Sequence, residues 1–491
     1  MSATLIWAAI AFYAIAGLVV VALARRRLAT GAEDFYLAGR HVGGLVSAAS
    51  YAATTYSAFM MLGLAGLTYR GGVGALGFEL IYFAGLALLL IFGPRIWLVG
   101  RRYGFITPSE MLGARYGSPL LAGLVAVLSC AFLVPYSSVQ LLGIGYLLSG
   151  TTGGGITVET GIVLGAALAA VWTIGAGLRS VAWTDALQAI VILVTAIAAL
   201  FFIIDALGGW GTFLERIEAE RGPWLAQPGP GFFSFWTFVG LTLPWFFFAI
   251  SNPQVSQRLF TTEDLGAMRT MIIGTLTFGL VFTLISILWG FSALLVVPEL
   301  DNPDLATPSL LAGGNVPAVI AVPLVIGILA AAITTVDSIA LTLASMVGRD
   351  VYPRAEPGSG DRRELLVGKV VILLVIAAAA FFASLRLDLI SLLSVASSAA
   401  LLVIVPTIIG AFFWRRGTAT GALASILAGT ATVLVLQFTG VRIAALPNPV
   451  ISFAVAIAVF VGVSLVTRPP ADRGAGFIDG IRDDLRRMRV D

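Results

Sequence analysis

The chain has 491 residues, 59% hydrophobic and only 11% charged, which sets it apart from ordinary soluble proteins, where charged residues run near a quarter. One cysteine, Cys130 in an apolar span, and one histidine, His41 in a loop beside Arg40, leave no material for a disulfide framework or thiolate metal site and argue against histidine-based metal or relay chemistry. A net charge of +3 carries meaning only through its placement.

Hydropathy predicts an all-α membrane protein with about thirteen spans of about twenty residues, each long enough for about 30 Å of hydrocarbon. They lie near 4–24, 44–67, 74–98, 119–148, 156–177, 184–206, 234–255, 270–297, 319–347, 368–386, 388–412, 419–439 and 448–467. Arg25, Arg26 and Arg27 follow the first span at once, which puts the N-terminus outside and marks an uncleaved anchor instead of a signal peptide. Alternating from there, every Lys and Arg except Arg70, Arg216, Arg221, Arg386 and Arg442 falls on cytoplasmic segments or span ends. The C-terminus then lies in the cytoplasm, where tail 468–491, with Arg482, Arg486, Arg487 and Arg489, reads as a polar, partly acidic helix or a disordered piece. Lipid contact or regulation is the most expected of it. The longest external loops, 207–233 and 298–318, are too short to be domains.

Two spans are interrupted. The second has a polar centre of Ser47, Ser50, Thr54, Thr55 and Ser57, and the seventh carries Pro244 and then Asn252, Pro253 and Gln254. Broken helices at corresponding places in two halves point to a transporter site, because unwound carbonyls ligate cations and half-helix ends face a substrate. The chain accordingly divides into a peripheral first helix and loop (1–43), a first inverted repeat of spans two to six (44–206), an external loop (207–233), a second repeat of spans seven to eleven (234–412), two peripheral spans (413–467) and the tail (468–491). Proline and small residues serving helix packing alone are the other reading of each break.

In the ninth span Thr334, Thr335, Asp337, Ser338 and Thr342 fall on one helical stripe. A carboxylate at membrane depth costs a few kcal/mol or more unless it faces a cavity, a partner or an ion, so Asp337 reads as a site residue. Alternatively the hydroxyls bond back to their own helix and Asp337 caps a kink.

The segments EDFYLAGR (33–40), SAFMMLGLAGLTYRGG (57–72), GLRSVAWTDALQ (177–188), NPQVSQR (252–258) and TTVDSIALTLASMVGRDVY (334–352) resemble, in order, those of the sodium:solute symporters. The resemblance implies a LeuT-type five-plus-five inverted-repeat fold, alternating access and sodium coupling. It implies one sodium site from Ala53 and Tyr56 in the broken second span with Ala331, Thr334 and Thr335 in the ninth, and oxygen-only neutral ligation suits a hard monovalent ion that must be released. A second site, for sodium or a proton, is implied at Asp185, Thr334, Asp337 and Ser338; two unpaired carboxylates there would require two sodium ions per cycle, or one sodium plus a proton. An N-cap of span six is the other role open to Asp185.

For the substrate, the resemblance puts Glu79 where sugar carriers hold a sugar-binding carboxylate, and Trp245 and Pro253 at positions implicated in proline carriers. Thr55 replaces the proline carriers' Asp and Met60 a sugar carrier's Gln. Gln140 and Asn252 add polarity, and the apolar lining of Phe59, Met60, Trp245, Phe246 and Phe248 favours an amino acid or short carboxylate over a sugar. The expectation is a sodium-coupled symporter of the plasma membrane, monomeric or loosely oligomeric, with sodium and a small organic solute as partners, no nucleic acid and no cofactor. A membrane sensor of the same fold and a proton-coupled carrier are the alternatives. A passive channel leaves the paired breaks unexplained, and an intramembrane enzyme would have only an aspartyl pairing of Asp185 and Asp337 to work with.

Overall fold

The computed structural model describes residues 1–25, 31–352, 360–387, 390–439, 441, 443, 445–469 and 471–488. Arg26, Arg27, Arg442 and Arg489, invoked above for orientation and for the tail, lie outside the described residues. Within them, regular structure is helical, with one isolated bridge between Val42 and Thr262. Among the described residues eleven helices are long and apolar enough to cross a membrane: Ala3–Leu23, Gly74–Tyr103, Pro119–Thr151, Val158–Gly175, Val181–Ala206, Leu265–Val296, Ala318–Val351, Arg363–Ser384, Ile390–Phe413, Ala419–Thr439 and Asn448–Val466. Local sequence sets several of their starts. Thr157, Ser118 and Asp264 accept from the backbone N–H groups of Thr160, Leu121 and Ala267, and Pro119 occupies a first-turn position where no N–H is needed.

Two further apolar stretches are broken. One runs as a helix over Gly44–Thr55, leaves helical geometry at Tyr56 (φ −102°, ψ 69°), and resumes as a π turn at Met60–Leu64 and a helix at Ala65–Gly71. The other runs over Phe235–Phe246, continues at Phe248–Ser251, breaks at Asn252 (φ −93°, ψ 111°) and restarts at Pro253. Pro253 causes the second break, since its ring pushes the preceding residue out of helical geometry and it supplies no N–H. Pro244, by contrast, is accommodated inside its helix.

The segment GLRSVAW is not a loop. Two helices that together run over Val158–Ala206 meet at its first residue, Gly177, whose backbone is not helical (φ 60°, ψ −156°) and where a Cβ would stand 2.4 Å from the Phe35 carbonyl oxygen. Only glycine permits both that conformation and that approach. Asp185 therefore lies in a helix interior and caps nothing.

Helix Ala318–Met346 is the centre of the molecule. Every residue from Gly327 to Met346 is buried, and it packs on Val158–Ala206 and Pro119–Thr151. A helix apolar nearly all round belongs inside, which carries its polar stripe inside too. The tail also departs from expectation. Ala471–Arg487 is a helix whose Phe477, Ile478, Ile481 and Leu485 are buried against Leu88–Tyr103, Pro108–Tyr116 and Val405–Phe413, so it is protein-docked and not merely a lipid-facing or disordered piece.

Candidate functional site

The break in the Gly44–Gly71 segment exposes backbone acceptors in a buried place. Tyr56 N–H bonds back to Ala52 at 2.7 Å, Phe59 N–H turns to the Ser57 hydroxyl at 3.2 Å, and Met60 N–H takes the Ser57 carbonyl at 3.1 Å. Among the described residues, no backbone N–H reaches the carbonyls of residues 53 to 56. Ala53, Thr55 and Tyr56 are all buried. Four unbonded carbonyls in the interior cost free energy unless something accepts their lone pairs, and a desolvated cation is the natural complement.

The opposing wall is the central helix. The Thr54 and Ser338 hydroxyls meet at 3.2 Å, which fixes the broken segment against the polar stripe. Thr335 donates to Ala331 O at 3.1 Å and Thr334 to Ala330 O at 2.8 Å. These back-bonds leave the hydroxyl lone pairs available as acceptors. Ala53, Tyr56, Ala331, Thr334 and Thr335 thus sit on two packed elements in a buried region.

Beside them is a cluster that the sequence reading did not foresee. Asp185 Oδ2 accepts from Ser50 Oγ at 2.6 Å and from Arg258 Nη2 at 3.2 Å, and the Arg258 guanidinium also donates to the hydroxyls of Ser50 and Ser338. Both charged side chains are buried. Asp185 and Ser338 are brought together as expected, but through a guanidinium; the expectation of two unpaired carboxylates is corrected on the Asp185 side. Asp337, on the other side of the stripe, accepts from Thr173 at 2.8 Å. Thr334 points toward Gln188, at 3.4 Å. The signal for Arg258 was present in NPQVSQR, where a guanidinium follows the broken span by only a few residues.

A second set of unsatisfied groups lies in and around an aromatic cluster. Trp245 is stacked between Phe59 (5.1 Å) and Phe248 (5.0 Å), with the Tyr82 edge against it at 4.9 Å and Tyr56 beyond at 5.7 Å from Tyr82. Glu79 lies three residues from Tyr82 on the same helical face, is 0% exposed, and has no partner for either carboxylate oxygen. The Tyr56, Tyr82 and Tyr136 hydroxyls, the Thr55 hydroxyl, Trp245 Nε1 and both Gln140 amide atoms are likewise buried without partners. Native interiors bond most such groups, so their concentration here is unusual. Met60 begins the adjoining π turn. Asn252 donates to Ser251 Oγ at 3.1 Å while its carbonyl oxygen stays unbonded, and Pro253 opens the next turn. Phe246 packs edge-on against Phe247 instead of joining the stack.

Residues 35–429 match the sequence model of the Sodium:solute symporter family. The chain is 27% identical over 445 residues to the sodium/pantothenate symporter of Escherichia coli (strain K12), covering 87% of this chain and 89% of that one. It is 25% identical over 432 residues to the uncharacterized symporter YodF of Bacillus subtilis (strain 168), covering 84% and 83%. A solved Na+-coupled sialic acid symporter in a substrate-bound outward-open state superposes with a TM-score of 0.80 at 20% identity, covering 95% of this chain and 98% of that one. Mhp1, a nucleobase-cation-symport-1 family transporter, superposes with a TM-score of 0.55 at 18% identity, covering 90% and 95%. At such identities the structural likeness concerns the fold.

Proposed function

The chain belongs to the sodium:solute symporter family, a family of multi-pass membrane transporters and not enzymes, and from that premise we propose how it works. It imports a small organic solute by alternating access, driven by sodium bound between the broken second span and the central helix. The observation that carries this reading is the run of unbonded carbonyls at residues 53 to 56, in a broken segment held to the hydroxyl stripe of the central helix by the Thr54–Ser338 contact at 3.2 Å. Carbonyls of Ala53, Tyr56 and Ala331 with those two hydroxyls make a neutral, oxygen-only shell, which replaces part of the hydration of a monovalent cation without holding it too tightly to leave. An ion there ties a mobile broken segment to a rigid central helix, so its loss frees the segment and couples ion release to the change of access.

Thirteen spans follow from counting the two broken segments with the eleven continuous ones. The N-terminus lies outside and the C-terminus in the cytoplasm, and repeats over 44–206 and 234–412 are related by inversion. The solute is held by Thr55, Phe59, Met60, Glu79, Gln140, Trp245, Asn252 and Pro253. Their largely aromatic surroundings favour an amino acid or short carboxylate over a polyhydroxylated sugar. The Escherichia coli relative is a sodium/pantothenate symporter, and pantothenate is a carboxylate, which agrees with an organic acid.

Thermal stabilisation of the purified protein tests the reading. Sodium at a hundred times its dissociation constant adds about 2.7 kcal/mol by mass action, and potassium adds none. Among amino acids, monocarboxylates and sugars, one class then adds further stability only when sodium is present. Equal stabilisation by potassium contradicts the proposal. Proton coupling is the second reading, favoured by Asp337, a buried carboxylate whose bonded partner is the neutral Thr173 hydroxyl; solute uptake driven by a pH gradient without sodium would establish it.

A further inference from the structure

The region assigned above to a second cation is filled by a side chain of the protein. Arg258 reaches in from the short turn Gln257–Phe260 that follows the broken seventh span, and its guanidinium bonds to Asp185, Ser338 and Ser50. Asp185 and Ser338 are two of the four oxygen-bearing residues expected to hold that second ion. We propose that Arg258 is a tethered cation occupying the second site, so that the carrier binds one sodium ion, at Ala53, Tyr56, Ala331, Thr334 and Thr335. This rests on the sodium reading of the first site.

The charge count favours it. Asp185 and Arg258 neutralise each other, and a guanidinium does not deprotonate in a protein, so the neutralisation is permanent while the pair holds. A sodium ion added beside the pair would leave a net buried positive charge, which is costly in a low-dielectric interior. Asp337, the other carboxylate of the stripe, accepts from Thr173, and no hydrogen bond joins it to this pair among the described residues. Space agrees with charge. The two cavities that touch Arg258, one lined by Ser47 and Ser50 and the other by Gln254, Ser338 and Thr342, each measure about 10 Å³. That is about one water, so no hydrated ion fits while the guanidinium is in place. The pair is also not a saturated structural clamp, because Asp185 Oδ1 and Arg258 Nε have no partners. A pair with spare bonding capacity can be withdrawn and re-formed as the seventh span moves.

Equilibrium binding of ²²Na⁺ to the purified protein counts the ions directly. The wild type is expected to saturate at one ion per chain and Arg258→Gln at two, a twofold rise, because the vacated carboxylate then takes sodium. Arg258→Lys keeps one, since the tethered charge is retained. Asp185→Asn also keeps one, whereas a sodium-ligating Asp185 would lose an ion on that change, so the proposal stays testable even if Arg258→Gln does not fold. A wild type saturating at two, a folded Arg258→Gln remaining at one, or loss of an ion in Asp185→Asn overturns the proposal and leaves sodium coupling standing. A wild type that binds no sodium overturns the coupling reading itself.

Discussion

Replacing Glu79 with leucine removes the most exposed contradiction in the core. Both carboxylate oxygens are buried without partners, and the nearby Tyr56, Tyr82 and Tyr136 hydroxyls are unbonded as well. Leaving one buried polar group unsatisfied costs about 1–3 kcal/mol, so an apolar side chain of similar volume is expected to stabilise the ligand-free protein by about 2 kcal/mol. Unfolding entropy scales with length, and for a chain of 491 residues each kcal/mol moves the midpoint by about 1 °C. Thermal unfolding in detergent without solute should therefore show a rise of about 2 °C in Glu79→Leu, with solute uptake into proteoliposomes abolished. A stability gain with a loss of function is the signature of a group kept for a ligand. A fall of several degrees would refute the reasoning, because it would mean that Glu79 has structural partners and its unbonded state does not reflect a binding role.

Gly279 supports the sodium site indirectly, since a Cβ there would stand 2.1 Å from the Tyr56 hydroxyl oxygen. Gly279→Ala should displace Tyr56, misplace its carbonyl and weaken sodium binding about tenfold, while Gly462→Ala, with nothing within 4 Å of its Cβ, changes nothing; sodium titration of thermal stability reads both. Phe477 of the tail helix stacks on Tyr103 at 5.9 Å and meets Phe412 at 5.7 Å, so Phe477→Ala should cost about 3 kcal/mol in the same unfolding assay. The partly exposed pairs Arg102–Asp484 and Arg415–Asp479 should each contribute under about 1 kcal/mol, and Asp484→Asn and Asp479→Asn should leave the midpoint nearly unchanged.

Hydropathy was enough to find the eleven continuous membrane-length helices of the described residues because each must be apolar over a fixed length, and the breaks were legible because Pro253 and the hydroxyl-rich centre around Ser50 and Thr54 violate that requirement. The depth of the central helix was legible too, as its polar stripe makes sense only inside. Arg258 was not. Counting basic residues by loop put it among cytoplasmic charges, and linear position cannot tell a loop arginine from one folded back between helices to meet Asp185. The junction at Gly177 was missed for a similar reason: a glycine within an interrupted apolar run reads as the start of a loop, whereas here the non-helical backbone is at Gly177, against the Phe35 carbonyl, and the next helix begins at once. The tail's spacing of Phe477, Ile478, Ile481 and Leu485 is helical and amphipathic on the page, but its charged residues drew the reading toward a solvated segment.

The account stands most directly on the five residues of the first sodium site, and Thr335→Ala tests them with the least collateral change. Among the described residues Thr335 bonds only within its own helix, to Ala331 at 3.1 Å, so removing its hydroxyl should leave the fold intact. Sodium-dependent thermal stabilisation of the variant should require sodium raised by about 10- to 100-fold, the loss of roughly one strong ligand contact to a charge. A Thr335→Ala protein that responds to sodium as the wild type does would contradict the account.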